Sequence, residues 1–181
     1  GKLIRIAGDS ATDSRITVLS PGTTQPFYFP PAIVRRLQDS ELVATASGSY
    51  YEDTSWMSGS TAAFRSKIFV TSHGGADNPA DITCQVDQLC GACAFASKPG
   101  ECSAPSKNAL PVSAPLMVYN DILDETDIFY LYYDQPTNAC ERGKSWVVQL
   151  RATTTGSVSL KQTIEFPNVF LSGLALSGES Q

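Results

Sequence analysis

Pro31-Ala32-Ile33-Val34-Arg35-Arg36-Leu37-Gln38-Asp39-Ser40-Glu41-Leu42-Val43-Ala44-Thr45-Ala46 is the stretch on which the fold turns. Two readings compete for it. Proline is favoured at the first helical position, so Pro30-Pro31 can open a helix in which Ile33, Val34 and Leu37 match helical spacing. The same residues also read as a hairpin, with a strand over 32–37, a turn at Gln38-Asp39-Ser40 and a strand over 41–46.

A second stretch decides between them. Leu110-Pro111-Val112-Ser113-Ala114-Pro115-Leu116-Met117-Val118-Tyr119 parallels Gln25-Pro26-Phe27-Tyr28-Phe29-Pro30-Pro31-Ala32-Ile33-Val34. Each copy continues with an acidic turn, Asp39-Ser40-Glu41 in one and Asp124-Glu125-Thr126-Asp127 in the other. Each then has an apolar strand (42–46; 128–133), a polar insertion and a further strand (64–70; 146–150). Asp-Glu-Thr-Asp turns a hairpin more readily than it continues a helix, because these short polar side chains compete for the backbone. The shared order predicts an internal repeat of sheet units, against the alternative of chance likeness between short β motifs. A third, partial echo is expected at Phe166-Pro167-Asn168-Val169-Phe170-Leu171.

Strand signals continue outward from these copies. Phe64, Ser66, Ile68 and Val70 alternate with Arg65, Lys67 and Phe69, the two-residue period of a sheet with two unlike faces. Ile128-Phe129-Tyr130-Leu131-Tyr132-Tyr133 is a continuous apolar and aromatic run, expected of a strand covered on both sides. Residues 145–152 and 157–164 are β-branched stretches separated by a turn at Thr153-Thr154-Thr155-Gly156.

The composition agrees. Of 181 residues, 17% are charged, against about a quarter in ordinary globular chains, and 13 Gly and 11 Pro suit short strands joined by turns. The length suits a single β domain over 1–181. Net charge is −5 and the only adjacent basic pair is Arg35-Arg36, so a phosphate-tracking surface for nucleic acid is not expected. No apolar run approaches the roughly 18–20 residues of a membrane helix. Gly1-Lys2-Leu3-Ile4-Arg5-Ile6 already reads as a strand with no initiator Met, so the chain reads as cut from something longer.

Cys84, Cys90, Cys93 and Cys102 fall in a Gly-, Ala-, Ser- and Pro-rich insertion at about 73–108, and Cys140 stands apart. Such a loop has little apolar mass to pack, so disulfides are expected, their pairing left open among three connectivities. The odd count leaves one thiol free or paired outside the chain. Disulfides and composition together point to an extracellular or cell-surface protein.

Several of these residues form an ordered series. It runs through Thr24-Gln25-Pro26, Pro31-Ala32-Ile33-Val34, Val43-Ala44-Thr45-Ala46-Ser47-Gly48-Ser49-Tyr50-Tyr51 and Phe64-Arg65-Ser66-Lys67-Ile68-Phe69-Val70. The series resembles the C-terminal β-propeller of the type IV pilus tip adhesin and biogenesis family. The later run through Pro111, Asp127, Tyr133, Cys140 and Gly143-Lys144-Ser145-Trp146-Val147-Val148-Gln149-Leu150 is similar to that family's final blade, with Thr155-Gly156 at the place of its closing turn. The chain departs from the pattern at Ser47-Gly48, where the family carries Gly-x-Gly, and in the Cys-rich loop.

The resemblance implies antiparallel four-stranded blades in an incomplete propeller, because at about 40–50 residues per blade this length amounts to roughly four blades or fewer. It further implies a partner, either the remainder of the same protein or another chain completing the ring, with pilus or filament subunits as neighbours. The chain alone is then expected to be sticky. The implied function is a non-enzymatic structural or adhesive module of an extracellular appendage. The alternatives are a quinoprotein dehydrogenase-like propeller and a carbohydrate-binding β-sandwich.

No residue carries a catalytic or cofactor motif. His73, the single histidine, follows a strand, and no Gly-x-Ser-x-Gly elbow accompanies it. Cys90-Gly91-Ala92-Cys93 has zinc or redox spacing, with Cys84 and Cys102 as a second pair, yet disulfides suit the composition better. Asp77, Asn78, Asp81 and Asp87 offer oxygens to calcium but lack the Asp-x-Asp-x-Asp-Gly order, so no motif supports calcium. Glu52 with Asp53, or Asp124 with Asp127, can be drawn as an acid–base pair, though turn roles explain them. Tyr50, Tyr51 and Trp56, in a polar loop, are the expected surface contacts; Tyr130, Tyr132, Tyr133 and Trp146 are expected to pack in the core.

Overall fold

The computed structural model describes residues 3–6, 15–19, 26–37, 40–51, 65–73, 82–90, 102–136, 138, 140–153 and 157–177. The described residues form eleven strands, a short 3-10 turn at Val86–Gln88 and no α-helix. Strands β1 (Leu3–Ile6) and β2 (Arg15–Leu19) make an antiparallel pair. Residues 32–46 are a hairpin: β3 (Ala32–Arg35) pairs antiparallel with β4 (Glu41–Ala46), and the Arg36 amide donates to the Ser40 carbonyl at 2.8 Å to close it. A helix is not formed here because alternate residues of β3 and β4 face one core, a two-residue period that helical geometry cannot satisfy.

The first sheet runs β3-β4-β5-β6 in chain order, with β5 at Lys67–His73 and β6 at Ile82–Gln85. The expected turn at Gln38-Asp39 and the expected strand start at Phe64 lie outside the described residues. The Cys-rich insertion is more than a loop, since it supplies β6 as the fourth strand and the turn after it.

The second sheet repeats this arrangement. β8 (Leu116–Asn120), β9 (Glu125–Asp134), β10 (Lys144–Ala152) and β11 (Val158–Pro167) are antiparallel neighbours in sequence order. The short β7 (Leu110–Pro111) lies along the same edge of β9 as β8, and Val112 N donates to Leu131 O at 3.1 Å between them. Pro111 and Pro115 have no N–H to donate, so this edge is interrupted where a single long strand would otherwise run.

Two sequence expectations need correction. The reversal before β9 is made by residues 121–124, and Glu125, Thr126 and Asp127 already belong to the strand. The Asn120 side chain accepts from the amides of Ile122 and Leu123, and Asp124 takes φ 48°, so the turn chemistry sits one step earlier than the acidic run suggests. The echo at 166–171 does not begin a third unit. Phe166-Pro167 ends β11, Asn168 turns at φ 59°, and residues 169–177 carry no strand. Proline without an N–H followed by a residue tolerant of left-handed geometry ends a strand.

The two larger sheets share one core. Leu42, Ala44 and Ala46 of β4 and Ile68 and Val70 of β5 meet Ile128, Tyr130 and Tyr132 of β9 and Trp146, Val148 and Leu150 of β10, all buried. Each set is every second residue of its strand, the pattern of sheets packed face to face. Two buried phenols bolt the faces together. Tyr130 donates to the Phe69 carbonyl at 3.1 Å, and the Tyr132 hydroxyl lies 3.2 Å from Ser66 Oγ, which donates to the Ser47 carbonyl at 2.6 Å. Leu131 is buried on the opposite face while Phe129 and Tyr133 are half-buried, so the middle of β9 alone is covered on both sides. Strand β3 of the first sheet and β8 of the second lie beside each other.

Candidate functional site

The end of the sheets where β4 and β9 finish carries an aromatic cluster drawn from three distant segments. Tyr50 is placed by the backbone leaving β4: Gly48, at φ 86°, donates its amide to Pro26 O at 2.8 Å, and the Tyr50 amide donates to Pro111 O at 2.9 Å. That left-handed conformation suits glycine and penalises any residue with a Cβ. Tyr51 follows, its amide donating to Ser49 Oγ at 3.2 Å.

Tyr133 comes from the end of β9. Its hydroxyl accepts from the Gly143 amide at 3.2 Å, and a Cβ on Gly143 would run into the Asp134 carbonyl and the Tyr133 ring. Phe170 belongs to the segment after β11, and one buried serine holds that segment: Ser145 Oγ donates to Val169 O at 2.8 Å and accepts from the Leu171 amide at 2.9 Å.

Tyr50, Tyr133 and Phe170 form a triangle with ring centroids 4.9–5.2 Å apart. Tyr51 leans on it, 5.6 Å from Tyr50 and 6.4 Å from Phe170. Most of these contacts are edge to face, the arrangement that ring quadrupoles favour. Tyr51 remains 55% exposed and Phe170 42% exposed, so the cluster offers ring surface to solvent rather than enclosing it. Rigid aromatic area with hydroxyl groups at its edge is the chemistry of a contact hot spot or a platform for the C–H face of a sugar.

Of the expected surface aromatics, Tyr50 and Tyr51 fall in this cluster and Trp56 lies outside the described residues. Tyr130, Tyr132 and Trp146 are core residues as expected, whereas Tyr133 is not: one position along from Tyr132, it points to the other face of β9. The strand's two-residue alternation contains that signal. Phe170 had none, because its place depends on the Ser145 clamp.

The other singled-out residues are accounted for separately. Cys90 is bonded to Cys102 and Cys84 is disulfide-bonded as well, which removes the thiolates a zinc site would need. Cys140 carries a free, exposed thiol, and Cys93 lies outside the described residues. Asp87 pairs with Arg65 at 3.5 Å, and Asp77, Asn78 and Asp81 are not among the described residues. Asp124 accepts from the Tyr119 hydroxyl at 2.7 Å. Asp127 takes Arg151 through both oxygens at 2.7 and 2.9 Å, a fork-to-fork pair that orients the side chains on the sheet face. Glu52 and Asp53 lie outside the described residues, and the backbone of His73 ends β5 opposite Glu41.

Among the described residues no helix is long and apolar enough to cross a membrane, which says nothing about strands in that role. No family model, curated protein or solved structure matches the chain.

Proposed function

We propose that the chain is a non-enzymatic structural and adhesive module of a secreted or cell-surface protein, and that the Tyr50, Tyr51, Tyr133 and Phe170 cluster is its contact surface. The observation that carries this reading is the assembly of four rings from three remote segments, with two left substantially exposed. Exposed aromatic area tends to be desolvated by a partner, and rigid rings lose little entropy when one arrives. The disulfide at Cys90 and Cys102 suits an oxidising compartment.

In the fuller form of the proposal the two sheets are blades of a partial propeller of the pilus-tip kind. Its support is the like antiparallel order of β3-β4-β5-β6 and β8-β9-β10-β11 and the adjacency of β3 and β8. A second reading, a carbohydrate-binding β-sandwich, draws on the face-to-face core common to both sheets.

Binding of the chain to immobilised glycans and to cell-surface protein extracts tests the site. Tyr51→Ala and Phe170→Ala each expose no new core, so each is expected to lower binding by roughly tenfold or more with the melting temperature unchanged. Unaltered binding by both variants would refute the assignment. Binding confined to glycans would favour the sandwich reading over the appendage one.

A further inference from the structure

Strands β3 and β8 meet on one flank of the shared core, so the far edges of the two sheets are β6 and β11. The non-strand segment 102–108 is fastened to the chain leaving β6 and to β11. On the side of the first sheet the fastening is covalent. β6 runs into the 3-10 turn at Val86–Gln88, Leu89 is buried, and Cys90 is bonded to Cys102. On the side of the second sheet Thr163 Oγ1 donates to the Ser103 carbonyl at 2.5 Å.

Thr163 is the cross-strand partner of the core residue Val148, so its side chain shares the inward face of β10 and β11. The segment it holds therefore lies over the inner side of the β11 edge. Cys102 and Ala104 pack against the core, and Pro105 is buried. The segment then closes on the end of β9 through one residue. Ser106 donates its amide to Asp134 Oδ2 at 3.0 Å and its hydroxyl to Asp134 Oδ1 at 2.5 Å.

The bonded cysteines differ in burial. Cys84 is 2% exposed, whereas Cys90 and Cys102 are half-buried. An attacking thiolate must reach a sulfur, so the accessible bond exchanges first. With that bond open, the segment is held by the hydrogen bonds to Thr163 and Asp134 and by the packing of Ala104 and Pro105, contacts of a strength that opens locally. We propose that residues 102–108 form a redox-operated strap, closed over the β11 flank by the Cys90–Cys102 bond and released by a dithiol reductant while both sheets stay folded. One thiolate of the dithiol bonds to a sulfur of the pair as the Cys90–Cys102 bond breaks. Its second thiolate then displaces that cysteine and closes the reductant's own disulfide. Two electrons pass to Cys90 and Cys102, and the two protons of the dithiol complete their thiols. The strap does not depend on the role of the aromatic cluster.

The test exposes the full folded chain to graded dithiothreitol, caps free thiols with iodoacetamide and reads each cysteine by peptide mass spectrometry. Cys140, free and exposed, labels throughout and serves as the reference. Cys90 and Cys102 are expected to label together at a dithiothreitol concentration about tenfold or more below that needed for Cys84. In the chain so reduced and capped, trypsin cleavage after the exposed Lys107 is expected to quicken about tenfold or more, because the protease needs the strap lifted from Asp134. Far-ultraviolet circular dichroism should not change. Cys90→Ser combined with Cys102→Ser should show the same fast cleavage with no reductant; should that variant not fold, the reduced parent chain decides by itself. Labelling of Cys84 at the same or a lower concentration, unchanged cleavage after Lys107, or loss of the dichroism on reduction each overturns the proposal.

Discussion

Tyr130 and Tyr132 are two of seven tyrosines, and their phenols are pushed above the ordinary tyrosine range. Burial is the main cause for both; the neighbouring Tyr132 adds to it at Tyr130, and the hydrogen bond with Ser66 offsets part of it at Tyr132. A phenol whose folded-state pKa lies above its unfolded value keeps its proton longer in the native state. The associated stability is therefore fully present below about pH 10 and is lost as the pH climbs past it, because the unfolded chain releases protons the native one retains. Urea denaturation at pH 7, 9 and 10.5 should show a stability steady up to pH 9 and falling at 10.5. Tyr130→Phe is expected to cost about 1 kcal/mol at pH 7 through the lost bond to the Phe69 carbonyl, and to flatten the alkaline fall. An equally steep alkaline fall in the variant would remove Tyr130 from the explanation.

The elements are joined by devices that tolerate few residues. The connection between β9 and β10 depends on Gly143, whose missing side chain lets the backbone lie against the Asp134 carbonyl and the Tyr133 ring. Gly143→Ala forces that contact apart and is expected to destabilise by about 1–3 kcal/mol. It should also loosen Tyr133 from Phe170, so tyrosine fluorescence and amide-proton protection at 170–171 should change together. A variant as stable as the parent would show that the strand ends shift freely. Ser145 matters at the same scale, since a single hydroxyl fastens residues 169–171 to β10 and so determines that Phe170 completes the cluster.

For the molecule as a whole, the shared core predicts that the two larger sheets unfold together. Leu42 in the first sheet is 1% exposed and belongs to the same cluster as Trp146 in the second. Leu42→Ala is expected to cost about 2–5 kcal/mol. In a Trp56→Phe background, Trp146 fluorescence and far-ultraviolet circular dichroism should move to lower denaturant by the same amount, in one transition. A Trp146 signal that stays in place while the dichroism shifts would mean that the sheets fold independently.

The two-residue alternation of apolar residues, the prolines and the turn-forming acids made the all-β class, the hairpin over 32–46 and the like order of the two sheets legible from the amino acids alone. These are local patterns, set by the backbone period and by which residues reverse a chain. The clustering of cysteines likewise signalled disulfide bonding, because a loop so poor in apolar mass needs covalent support. Tertiary structure decided the rest. Tyr133 joins Tyr50 only because β9 and the chain leaving β4 finish at the same end, and Phe170 only because Ser145 catches the segment after β11. Arg36, read in sequence as half of a basic pair, is buried because β3 lies beside β8, with the end of β10 within its reach. Such contacts depend on how one sheet lies over another, and that relation has no period along the chain.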